Sequence, residues 1–114
     1  MASVEQSIQV RRWAGGQHPT MHTITSKMQD EGLRPYMSIN SPNTRQAVRS
    51  HGYHKVLYVI DGTLEVIFPD SNQRVTLRSG DRIDVPASVR HGTITRTGGA
   101  TCVEAAITRR RARR

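Results

Sequence analysis

From Tyr36 to Ile107 the chain is a succession of short apolar or β-branched runs cut by turn clusters, a rhythm that suits an all-β sandwich or barrel. The expected strands are Tyr36 to Ile39, Thr44 to Val48, Lys55 to Ile60, Thr63 to Phe68, Arg74 to Leu77, Asp81 to Val85, Gly92 to Arg96 and Thr101 to Ile107. Between them stand Asn40-Ser41-Pro42-Asn43, Asp61-Gly62, Pro69-Asp70-Ser71-Asn72, Ser79-Gly80, Pro86-Ala87-Ser88 and Thr97-Gly98-Gly99, rich in the residues turns demand. Asp61-Gly62 is the sharpest break. A two-residue type I′ turn needs positive φ at both central positions, so this dipeptide predicts a hairpin pairing Lys55 to Ile60 with Thr63 to Phe68. Alternation then puts Lys55, Leu57 and Val59 on one face and Val56, Tyr58 and Ile60 on the other. Both faces are substantially apolar, which predicts an interior on one side and a second layer on the other, such as the helix or a partner subunit; a homodimer burying the Val56, Tyr58 and Ile60 face is expected.

Residues 1 to 18 show no sustained period, and an irregular or strand-like arm is expected around Ile8 to Trp13. Pro19 and Thr20 then open a helix in which Met21, Ile24 and Met28 share one face, with Gly32 as the terminating residue and Pro35 just beyond. It is the only helix expected, and its apolar stripe should pack against the outside of the β-barrel.

A chain of 114 residues suits one domain. We divide it into an N-terminal arm and helix (1–34), a β-domain (35–108) and a basic tail (109–114). Its formal charge of +8 is concentrated at one end: five of the 17 basic residues lie in the last six positions, leaving +3 on residues 1–108. That distribution predicts a solvated tail rather than a dedicated nucleic-acid surface. No apolar stretch is long enough to span a membrane and Met1 to Glu5 lacks a basic region followed by an apolar core, so a soluble, cytoplasmic protein is expected. Cys102 is the single cysteine, which excludes an internal disulfide and a thiolate metal cluster and predicts a buried thiol.

Two segments carry the candidate chemistry. One is Arg49-Ser50-His51-Gly52-Tyr53-His54-Lys55, entering the Asp61-Gly62 segment. The other runs from Gly80 through Pro86 and Ser88 to His91. Together they resemble the cupin family, whose motifs are His-x-His-x(3–4)-Glu-x6-Gly and Gly-x5-Pro-x-Gly-x2-His. The second motif is reproduced in spacing, with Ser88 at its internal glycine. The first is degenerate: counting back from Gly62, Lys55 stands at the glutamate, His51 at the second histidine and Arg49 at the first. The resemblance is to small single-domain bacterial cupins. It implies an all-β fold, a small antiparallel β-barrel of cupin or jelly-roll type, with the one short N-terminal helix outside it.

In cupins with the full motif the three histidines and the glutamate hold a divalent transition metal. Here charged Arg49 and Lys55 have no lone pair to offer. A metal (Zn, Ni, Mn, Fe or Cu) would fall to His51 and His91, with His54 as a third ligand if a bulge overturned strand parity. Two further readings stand beside this one. The histidines could hydrogen-bond within a polar pocket, or Arg49, Lys55 and the histidines could form a cationic pocket for a carboxylate or phosphate. Tyr53 and Thr93 are expected on its wall, and inward-facing Lys55 is expected to pair with Glu104, since buried charges need partners. The functions implied are a small-molecule-binding cupin, with or without metal, or a metal-dependent cupin enzyme (dioxygenase, isomerase or decarboxylase) acting on a small organic acid.

Overall fold

The computed structural model describes residues 7–108; the arginine tail lies outside them. The elements are β1 (Gln9–Arg11), α1 (Met21–Asp30), β2 (Tyr36–Asn40), β3 (Arg45–Arg49), β4 (His54–Phe68), β5 (Gln73–Leu77), β6 (Arg82–Val85) and β7 (His91–Ile107). The helix forms where its signals lie. Thr20 Oγ1 accepts from Thr23 N–H at 3.1 Å, and Gly32 at φ +82° ends the helix, with its N–H on Gln29 O and that of Leu33 on Met28 O.

All seven strands belong to one antiparallel sheet in the order β1-β6-β4-β7-β2, with β5 added to β4 and β3 to β7. The sheet is open, which corrects the expected closed barrel. Closure requires the two terminal strands to hydrogen-bond to each other, whereas the short β1 pairs with β6 and the terminal β2 with β7.

The Asp61-Gly62 hairpin is also corrected. Gly62 has φ +86° but Asp61 is not in the left-handed region, so half of the type I′ requirement is missing. β4 continues as one strand, with Asp61 opposite Thr101 and Gly62 opposite Ala100, and register shifts on either side. Gly99, at φ +65°, faces this point, and a Cβ on Gly62 would strike its carbonyl. Thr97-Gly98-Gly99 is therefore no break either: both long strands bend together at a glycine pair.

The bend reverses side-chain parity. Before it Leu57 and Val59 point to the inner core; after it Leu64, Val66 and Phe68 do, joined by Leu77, Ile83, Val85 and Cys102. Val56, Tyr58 and Ile60 form a second core on the outer face with Val103, Ala105 and the wholly buried Ile24 and Met28 of α1. The alternation expected for Lys55 to Ile60 thus holds, and the second layer is the chain's own helix. Val56, Tyr58 and Ile60 are buried within one chain, which corrects their assignment to a dimer interface. No helix among the described residues is long and apolar enough to cross a membrane.

Candidate functional site

At one end of the inner face lies a cavity of about 280 Å³. Arg49, His51, Tyr53, Lys55, His91, Thr93 and Glu104, seven of the eight residues expected at a site, all line it. The register explains the convergence: Arg49 at the end of β3 pairs with His91 at the start of β7, and Lys55 and Glu104 reach inward from β4 and β7. The connection between β3 and β4 brings in His51, held by a 2.8 Å bond from Ser88 N–H to His51 O. Ser88 itself has φ +72°, the left-handed conformation that accounts for a glycine at this place in the motif.

The exception is His54. It lies in phase with Val56 and Tyr58 on the outer face, where its Nε2 is 2.9 Å from Asp84 Oδ2. Strand parity prevails and no bulge turns it inward, which removes it from the cavity and from any ligand set with His51 and His91.

Lys55 Nζ lies 3.0 Å from Glu104 Oε1. The same carboxylate accepts from Tyr36 Oη at 3.3 Å and from Ser38 Oγ at 2.6 Å. Tyr36 and Ser38 carry no motif signal in the sequence. They are two residues apart, hence on one face of β2, but only the pairing of β2 with β7 sets Tyr36 opposite Glu104. Burial, then the charge of Glu104, pushes the Tyr36 phenol up to about 12, so it remains a donor. Arg49 is without an ion-pair partner among the described residues.

The two cavity imidazoles meet edge to face with centroids 5.4 Å apart, and Tyr53 stacks on His51 at 4.8 Å. Burial foremost, with a further contribution from the Lys55 charge, lowers the pKa of both rings below the ordinary 6.5, so both are neutral at pH 7. His91 Nδ1 is 3.0 Å from Val89 O, an acceptor, and must carry the proton; Nε2 keeps the lone pair. Among the described residues no three His, Cys, Asp or Glu side chains converge as a metal-holding group. Cys102 is wholly buried, and burial pushes its thiol up to about 12, as suits an inert packing residue.

Residues 38–104 match the family model described as Cupin domain, well over half of the chain. The chain belongs to the cupin family. Solved structures agree on the fold of this cupin. A cupin-2 domain containing protein from Shewanella frigidimarina is 20% identical, with a TM-score of 0.56 over 64% of this chain and 68% of that one. A DUF861 family protein from Thermotoga maritima is 12% identical, with a TM-score of 0.59 over 89% of this chain and all of that one. The polyketide cyclase RemF from Streptomyces resistomycificus is 25% identical, with a TM-score of 0.53 over 65% of this chain and 52% of that one. No functionally curated protein matches the chain.

Proposed function

We propose that this cupin binds a small organic carboxylate in the cavity between β3, β4 and β7, without a metal. The observation that carries the reading is the charge balance of the lining: two fixed cations, Arg49 and Lys55, against one carboxylate, Glu104, which Lys55 already neutralises. Arg49 supplies a planar fork matched to a carboxylate. His91 Nε2, Tyr53 and Thr93 surround it with neutral polar groups. A cavity of about 280 Å³ suits a compact acid. The family's metal fits these residues poorly, because two imidazoles and a carboxylate tied to an ammonium do not make a ligand set, and Arg49 and Lys55 repel a cation.

The test is calorimetric titration with mono- and dicarboxylates of up to about six carbons, beside elemental analysis of the purified protein. At least one acid should bind saturably, Arg49→Gln should weaken it about tenfold or more, and metal should be substoichiometric. A stoichiometric divalent metal lost in both His51→Ala and His91→Ala would overturn the reading in favour of the metal-dependent enzyme.

A further inference from the structure

The removal of His54 from the cavity leaves an imidazole to be explained on the other side of the sheet. It lines a separate and larger groove, about 700 Å³, with Gly52, Tyr53, Asp84, Ala87, Ile107 and Thr108. Its ring is not free to turn. Asp84 Oδ2 accepts from Nε2, and Asp84 is gripped at both oxygens by Arg82, through Nε at 2.6 Å and Nη2 at 3.0 Å. Arg82 is only 4% exposed and is itself fixed by Glu31 at the end of α1 and by Tyr58 Oη. Four side chains in series, from the helix terminus to the groove, therefore set the orientation of one imidazole.

This alignment has a definite chemical consequence. Burial alone would raise the Asp84 pKa, but the hydrogen bonds from Arg82 and His54 and the Arg82 charge hold it below the ordinary carboxylate value, so Asp84 is ionised and can only accept. Nε2 must then carry the hydrogen. In the neutral ring Nδ1 is a bare acceptor, and among the described residues it has no partner. Asp84 is ion-paired with Arg82, while Ala87, Ile107 and the Tyr53 ring give the groove an apolar wall.

We propose that this groove is a second ligand site, for an uncharged molecule that combines an apolar ring with a hydroxyl donor, and that His54 Nδ1 accepts from that hydroxyl. The site opens on the opposite face of the sheet from the carboxylate cavity and shares only Tyr53 with it. The full chain should be titrated with phenol and, separately, with anisole, which keeps the ring but has no O–H to donate. The His54 ring and Ala87 methyl resonances should be followed by NMR. Phenol should shift both saturably and bind about tenfold more tightly than anisole, the discrimination expected where a half-buried acceptor, covered by the ligand, is satisfied by one ligand and not the other. In His54→Leu, shown to be folded by its amide spectrum, the preference should fall to about one. Equal affinities in the unmodified protein, the absence of saturable shifts, or a preference that survives His54→Leu would each overturn the proposal. Carboxylate binding should be unchanged in that variant, so the two sites succeed or fail separately.

Discussion

Lys55 Nζ and Glu104 Oε1 lie 3.0 Å apart with both side chains largely buried, joining two strands across the floor of the cavity. The lysine stands where the family's full motif has a metal-binding glutamate, and its partner comes from the opposite end of the domain's sequence. At this position the chain supplies both a cation and its counter-ion.

Removing one member should expose that dependence. Glu104→Gln leaves a desolvated ammonium and should cost about 2 to 3 kcal/mol in urea unfolding. Adding Lys55→Met should restore at least half of the loss. A single variant within about 0.5 kcal/mol of the parent would show that the pair contributes little.

The cavity histidines impose a pH dependence. Their folded pKa values are lowered from 6.5, chiefly by burial, so between the lowered values and 6.5 the unfolded chain binds more protons than the folded one. Their contribution is complete above 6.5 and is lost as pH falls through the folded values. Unfolding free energy should therefore decline between about pH 7.5 and 5.5, and His91→Asn should flatten the slope. An identical slope in that variant would exclude His91 as a source. Asp81 and Asp84, held below 3.8, act only at lower pH.

Gly80, the first residue of the second motif, has φ +91°, and a Cβ there would overlap Cβ and Cγ of Trp13, the root of that side chain. Gly80→Ala should cost about 2 kcal/mol or more and move the emission of the single tryptophan to the red. Gly98→Ala, with open space around its Cβ, should remain within about 0.5 kcal/mol. Equal effects would remove the steric argument.

The helix, its caps and the two-faced run from Lys55 to Ile60 are legible in the chain because each depends on neighbours three or four residues away, or on strict alternation. So is the motif spacing that places Arg49, His51, Lys55 and His91 at one site. The Asp61-Gly62 and Thr97-Gly98-Gly99 signals mislead because glycine permits positive φ in two settings that look alike in sequence: a reversal in a short hairpin, and a bend in a long strand whose partner bends with it. His54 belongs to the cavity only if a bulge interrupts β4 at the rim, whereas the bulges lie farther along that strand.

What the chain by itself determined was a cupin-type β-domain and most of the residues of its cavity. What only the tertiary structure decided was how those residues meet. His91 and Glu104 stand 13 positions apart on the same strand, so in a straight strand they would be about 40 Å apart on opposite faces. The paired bend at Gly62 and Gly99 reverses the parity, and both residues line one cavity of about 280 Å³. The open edge of the sheet was decided in the same way, because whether two terminal strands pair depends on where bends elsewhere deliver them, which no local pattern records.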